Sequence, residues 1–405
     1  MKILITTDLY KPQINGVVTS VLNLEKELRR LGHEVKVLTL SPHLQTSESR
    51  DTYYMPSVST SRIYPGTRLS VVPRHRYFNE ICAWGPDIIH TQCEFSSFQF
   101  ARYLARRLDV PIVHTYHTVY EDYTHYIPGD RLLHIGKRVA EFISRYSCCR
   151  AETVIVPTQK IAELLRSYGI QVELAVIPTG IQLDRFQKRY DSEALREERR
   201  RLGIPEGDRL CVYLGRLAPE KNCGELLEYF SRAAPEACSL LIAGGGPALE
   251  DLRAQAAALP GREKIFFSGM VPPEQVPFYY QMGDLFLCAS VSETQGITYI
   301  EALASGLPAL CRRDSCIRDI ILEGYTGAQY DTYEDFARHL RHFLEDDALR
   351  TRLGQNAQAL ALRYGSARFA ADVLQVYEDC VSRRRRWQDI LSPRDTAEAY
   401  QAEIK

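Results

Sequence analysis

The chain has 405 residues, 45% of them hydrophobic and 25% charged, with a formal net charge of −1. That length exceeds one compact core and points to two domains of roughly 150–200 residues each. The near-neutral balance argues against bulk nucleic-acid binding, which brings a strong basic excess, and 11 cysteines at irregular spacing with no C-x-x-C pair read as buried reduced thiols.

Residues 1–7, "MKILITT", read as a buried strand rather than a leader, so a cytoplasmic address is expected. No apolar run reaches the roughly 18 residues that span a membrane. After the first strand comes the helical pattern "VVTSVLNLEKELRRLG", with Gly32 as C-cap candidate, then the strand run "HEVKVLTL". "PDIIHTQ", "FQFARYLARRL", "VPIVHTYHT" and "ETVIVPTQ" continue the alternation. Short apolar runs separated by amphipathic segments are the signature of βαβ units and a parallel sheet. A charged stretch at about 180–207 lacks strand runs and reads as a linker plus a helix. The alternation then restarts with "RLCVYLGRL", "CSLLIAGGG", "KIFFSGM", "DLFLCAS" and "LPALCRR". The expected architecture is two α/β domains in tandem, 1–180 and 181–375, facing a cleft beyond the strands' carboxyl ends. The helical pattern "FAADVLQVYEDCVSRRRRWQDI" starts at 369 and leads into a final segment, 376–405.

Five loops hold chemistry. Asn15 and Gly16 precede the first helix, where backbone N–H groups and positive potential suit an anion; a plain turn would look the same. Arg216 and Lys221 follow the strand ending at Leu214, with Gly215 between, and suit a diphosphate as a planar fork and a point charge. "IAGGGP", 242–247, ends another strand in three glycines, for close backbone approach or a flexible turn. "PIVHTYHTVYEDYTHYIP", 111–128, concentrates histidines and tyrosines after a strand: His114 falls inside the strand run, and His117 falls past it. A metal set of His114, His117, Glu121 and His125 has some helical spacing but not the stricter spacing of zinc sites. Glu293 and Glu301 flank a helix start near Ile297; a rise of about 1.5 Å per residue puts them too far apart to share a proton. They are either two arms of a clamp on an extended ligand or acids favoured by a helix N-terminus.

Taken together, strand–"GRLAPEKN", strand–"AGGGP" and "SETQGITYIEALASGLP" resemble the retaining GT-B glycosyltransferases with the E-x7-E motif, family four, over essentially the whole chain. "KPQINGVVTSV", "HTQCEFS" and "YHTVYEDYTHYI" are similar to the bacterial 1,2-diacylglycerol 3-alpha-glucosyltransferases within it. The resemblance implies two Rossmann-like domains and a C-terminal helix crossing back to the first. It implies that Arg216 and Lys221 hold a donor diphosphate, that Glu301 binds the ribose and that Glu293 contacts the sugar. The backbone from Gln295 through Gly296 to Ile297 would line sugar and phosphates, and Gly16 would close over the phosphates. His117 would lie near the transferred sugar, and Gly269 to Val271 would meet the base. Gln295 stands where the family often has an aromatic residue, and Gln182 where many relatives carry an acid, which leaves the sugar open. The implied reaction is front-face transfer with retention, with no metal strictly required and no covalent nucleophile.

The implied donor is UDP-glucose and the implied acceptor diacylglycerol, at an anionic membrane surface on the inner face of the cell membrane, with no nucleic-acid partner and no oligomeric state implied. The alternatives are phosphatidylinositol mannosyltransfer from GDP-mannose, a soluble acceptor, a nucleotide-sugar epimerase or a sugar-nucleotide sensor. Candidate membrane segments are 67–78 (Arg68, Arg74, Arg76), 131–150 (Arg131, Lys137, Arg138, Arg145, Arg150) and the arginine run at 382–387 beside Trp387. Each has a structural reading too: a helix packed on its sheet, or arginines spent in salt bridges.

Overall fold

The computed structural model describes residues 1–13, 15–41, 47–49, 51–59, 68–70, 77–117 and 130–391. It divides into two compact units, residues 1–178 with the segment from 369 onward, and residues 179–368.

In the first unit the apolar runs become β1 (Lys2–Thr6), β2 (Glu34–Leu40), β3 (Ser47–Ser49) and β4 (Thr52–Met55), followed by a short ribbon of β5 (Val58–Ser59) and β6 (Arg68–Leu69). Then come β7 (Ile88–Thr91), β8 (Ile112–Thr115), β9 (Thr153–Val156) and β10 (Glu173–Val176). Apart from the ribbon they form one sheet in the order β10-β9-β8-β7-β1-β2-β4-β3, parallel except for β3. Ile3 and Ile5 enter one apolar cluster and Leu4 the other, so β1 is buried on both faces and must be continuously apolar. The crossovers are α1 (Gly16–Arg30), α2 (Tyr77–Trp84), α3 (Ser96–Leu108), α4 (Asp130–Cys148) and α5 (Gln159–Ser167). Asn15 caps α1 by accepting from the Val18 N–H at 3.0 Å.

The second unit holds α6 (Leu183–Gln187), α7 (Ser192–Arg201), β11 (Arg209–Leu214), α8 (Cys223–Ala233), β12 (Cys238–Ala243) and α9 (Leu249–Ala258). It continues with β13 (Ile265–Gly269), α10 (Val276–Met282), β14 (Leu285–Cys288), α11 (Ile297–Ala304), β15 (Ala309–Arg312) and β16 (Gly327–Tyr330), then α12 (Tyr333–Glu345) and α13 (Asp347–Ala361). Its six strands are all parallel, in the order β13-β12-β11-β14-β15-β16. Because β11 is flanked by β12 on one side and β14 on the other, the winding reverses there, and the loops after β11 and β14 lie side by side at the strands' carboxyl ends, where such sheets bind ligands.

The last helix is α14 (Ser366–Leu391). Phe369, Ala370, Val373, Tyr377 and Cys380 recur every three or four residues, and this stripe packs with Ile3, Ile5, Val35, Val37 and Ile88 of the first unit's sheet.

Candidate active site

The second unit gathers four of the predicted loops at the carboxyl ends of β11, β12, β13 and β14. Glu293 lies in the loop before α11, and Glu301 in its second turn, as the spacing predicts. The β11 and β14 loops are laced together. Lys221 Nζ donates to Glu293 Oε1 at 2.6 Å, Ser292 Oγ to the Glu220 carbonyl at 3.0 Å, and Asn222 Nδ2 to the Ala289 carbonyl at 3.4 Å. Burial works against the Lys221 charge, but the Glu293 carboxylate more than offsets it, so the ammonium is held more firmly than usual. An ammonium carries three N–H donors, so contact with a phosphate oxygen does not require this pair to break. Arg216 sits on the same loop, half-exposed, 3.8 Å from Glu220.

Gly296 starts α11 with φ +75°, and a Cβ there would lie 2.6 Å from the Tyr299 ring, so the position excludes any side chain. The loop before it is anchored by Gln295. Its buried amide accepts from the Thr179 N–H at 2.7 Å and donates to the Thr179 carbonyl at 2.8 Å. The Gln295 side chain is therefore committed to the protein, and only its backbone remains for the ligand role the resemblance implies. Glu301 is half-buried. Burial pushes its carboxyl up to about 7, opposed by a hydrogen bond from the Tyr280 hydroxyl at 3.3 Å. Tyr280, which the sequence reading did not single out, is thus a partner of the candidate ribose-binding acid.

The glycines of "IAGGGP" serve a contact inside the protein. A Cβ on Gly244 would lie 1.9 Å from the Gly215 carbonyl oxygen, and one on Gly246 2.1 Å from that of Leu217. The β11 and β12 loops run in backbone contact, with Leu217 N–H donating to the Gly245 carbonyl at 2.9 Å. Of the two readings left open, close backbone approach is the one observed, and the approaching backbone is the neighbouring loop. Beyond β13, Gly269 accepts from the Gly244 N–H at 2.9 Å and Val271 follows half-buried, with Met270 77% exposed between them.

In the first unit, Gly16 opens α1 exposed to solvent. His114 is fully buried, its Nδ1 2.7 Å from the Thr91 hydroxyl and its Nε2 3.6 Å from Glu94 Oε1. His117, two residues past β8, bonds the Gln92 side-chain oxygen at 2.6 Å. Burial, aided by the neighbouring His114, depresses its pKa to about 3, so the imidazole is neutral. Glu121 and His125, the remaining members of the metal reading, lie outside the described residues. Among the described residues no cluster of three or more His, Cys, Asp or Glu side chains is arranged to hold a metal ion. Asp8, just past β1, accepts from the Ser97 N–H at 2.8 Å and so caps α3, whose own N-cap residue Phe95 has no capping oxygen. Burial pushes Asp8 up to about 6.

The candidate membrane segments separate. Arg68 is spent internally, bonding the Ser41 carbonyl at 3.0 Å and Ser57 Oγ at 2.7 Å, while Arg74, Arg76 and the Arg131 side chain lie outside the described residues. The arginine run forms ion pairs: Arg383 with Glu173, Arg384 with Asp109 and Glu152, and Arg385 with Asp87 at 3.8 Å. Of the two readings of that run, salt bridging is the one observed, although Trp387 beside it is 62% exposed. On α4, by contrast, Val139 and Phe142 are exposed beside the exposed Lys137 and Arg138, whereas Arg145 bonds the Tyr168 carbonyl at 3.0 Å and Arg150, just past the helix, the Tyr146 carbonyl at 2.9 Å. No helix among the described residues is long and apolar enough to cross a membrane.

With this geometry in place, comparison with known proteins gives consistent matches. Residues 14–185 match the family model "Glycosyltransferase Family 4" and residues 195–360 match "Glycosyl transferases group 1". The chain is 36% identical to the alpha-monoglucosyldiacylglycerol synthase of Streptococcus pneumoniae over 83% of this chain and 77% of that one. It is 32% identical to the enzyme of the same name from Acholeplasma laidlawii over 95% and 99%. Among solved structures, Anabaena HepE in complex with UDP-glucose superposes with a TM-score of 0.72 at 15% identity, covering 94% of this chain and all of that one, a likeness of fold.

Proposed function

This chain belongs to glycosyltransferase family 4 and is a glycosyltransferase of GT-B fold, and from that premise we propose that it moves glucose, with retention, from UDP-glucose to 1,2-diacylglycerol, giving monoglucosyl-diacylglycerol. The observation that carries the reading is the likeness over most of the chain to two alpha-monoglucosyldiacylglycerol synthases. The loop geometry of the second unit supports it. Arg216 and Lys221 stabilise the negative charge that develops on the leaving diphosphate, with no step routed through a metal. Glu293, held by Lys221 at 2.6 Å, takes a hydroxyl of the sugar, and Glu301 takes the ribose hydroxyls. The backbone of Gln295–Ile297, fixed from behind by Thr179, presents the N-terminus of α11 to the donor. Gly269 and Val271 border the base, and in the first unit the family resemblance assigns Gly16 to the phosphates and His117 to the transferred sugar.

In this reading the protein works as a peripheral enzyme at the inner face of the cell membrane. The exposed Val139 and Phe142 enter the interface, and Lys137 and Arg138 meet anionic headgroups. The test is a matrix of UDP-glucose or GDP-mannose against diacylglycerol or phosphatidylinositol in anionic vesicles, read as glycolipid formed. The expected product arises only from UDP-glucose with diacylglycerol. A product only from GDP-mannose would replace the donor assignment, and no glycolipid from any pairing would refute the lipid reading.

A further inference from the structure

Behind His117 lies a polar chain buried inside the first unit. His117 Nε2 is 2.6 Å from the Gln92 side-chain oxygen. The Gln92 side-chain nitrogen is 3.0 Å from His90 Nε2. His90 Nδ1 is in turn 2.5 Å from the Tyr377 hydroxyl on α14, and its Nε2 is also 2.7 Å from the Thr115 hydroxyl. Gln92, His90, Thr115 and Tyr377 are all at least 95% buried. Two strands, β7 and β8, and the helix α14 thus converge on a chain that ends at one histidine of the candidate active site. Apolar packing does not need such a chain, and burying one incompletely bonded is costly.

From these contacts we propose that Gln92 is a positioning residue that fixes His117 in its Nε2–H tautomer, leaving Nδ1 as an acceptor for a hydroxyl of the bound ligand. A side-chain carbonyl oxygen can only accept, so at 2.6 Å the His117 Nε2 must donate to it. His117 is neutral and has one ring proton, so Nδ1, on the side of the ring away from Gln92, carries a lone pair. The structure orients the amide with its oxygen toward His117 and its NH2 within 3.2 Å of both ring nitrogens of His90, which burial, with His114 and His117 nearby, keeps neutral. The amide N–H points to the His90 ring, and the Thr115 and Tyr377 hydroxyls, each able to donate or accept, complete the bonding of its two nitrogens. Packing of α14 on the sheet therefore orients a residue in the loop after β8. The hydroxyl that Nδ1 accepts from belongs to the transferred sugar or to the acceptor, and this step rests on the site reading proposed above.

The test has two independent arms. Selective 15N labelling of the 10 histidines, with His117 assigned by its loss in His117→Asn, reads the tautomer in the full chain without any assay of activity. The expected result is one ring nitrogen with the shift of a protonated Nε2 and the other with that of a bare Nδ1. A protonated Nδ1, the outcome if the Gln92 amide were reversed, would overturn the proposal. Gln92→Met, similar in volume but without the amide, is expected to mix the two tautomers and to lower kcat about tenfold while donor KM stays within about twofold. An unchanged tautomer in Gln92→Met would also overturn it. If His117→Asn retained full kcat, the ligand contact would fall with the site reading, while the wild-type ring signals would still decide whether Gln92 sets the tautomer.

Discussion

Glu301 allows stability and binding to be set against each other in one substitution. Its ordinary value is 4.5, and burial raises it to about 7. Each pH unit of displacement is worth about 1.4 kcal/mol, so ionising this carboxyl in the ligand-free fold costs about 3 kcal/mol. Between pH 4.5 and 7 the folded chain keeps a proton that the unfolded chain has released. Stability from this group is therefore complete below pH 4.5 and lost as pH rises through 7. Glu301→Gln removes the ionisation and keeps an oxygen for the Tyr280 hydroxyl at 3.3 Å. Urea unfolding of wild type and variant across pH 4.5–8.5 should give equal stabilities at the acid end. By pH 8.5 the variant should lead by about 3 kcal/mol. The same variant should bind the nucleotide-sugar about tenfold more weakly, because bonds from the ribose hydroxyls to a charged acceptor are roughly twice as strong as to a neutral one. A stability difference that moves by less than about 1 kcal/mol over that range would refute the burial argument. Unchanged donor binding would refute the ribose role.

Gln295→Leu leaves both the N–H and the carbonyl of Thr179 buried without partners. At about 1–3 kcal/mol per orphaned group, urea unfolding should register a loss of about 2–5 kcal/mol, and a loss under about 1 kcal/mol would show that the amide is not the anchor. Gly296→Ala forces an L-residue to φ +75° with its Cβ 2.6 Å from the Tyr299 ring. A stability cost of about 1–3 kcal/mol should accompany a donor KM raised about tenfold in steady-state kinetics, as the α11 N-terminus shifts.

Much of this protein is written locally. The alternation of short apolar runs with amphipathic segments reports two parallel-sheet units, because a strand covered by helices on both faces must be apolar throughout, as Ile3, Leu4 and Ile5 are. The helix start at Ile297 was equally legible, and with it the separate positions of Glu293 and Glu301, since a glycine at positive φ and the helical period are properties of a few consecutive residues. Side chains that act across long sequence separations were not legible. Nothing in "SETQGIT" announces that Gln295 turns back to Thr179, 116 residues earlier, nor in "HTQCE" that Gln92 joins His117 to Tyr377 through His90. The three glycines of "IAGGGP" suited close backbone approach or a flexible turn equally well, and the decision comes from the neighbouring loop, whose Gly215 oxygen would lie 1.9 Å from a Cβ on Gly244. The basic run at 382–387 had two readings for the same reason: whether an arginine meets a membrane or an acid depends on what lies across from it, and Glu173, Asp109, Glu152 and Asp87 come from distant strands and turns. Sequence by itself determined the elements and the chemistry of each loop, which depend on neighbours along the chain. Tertiary structure decided which of those side chains are spent on the protein, because burial and pairing are set by neighbours in space.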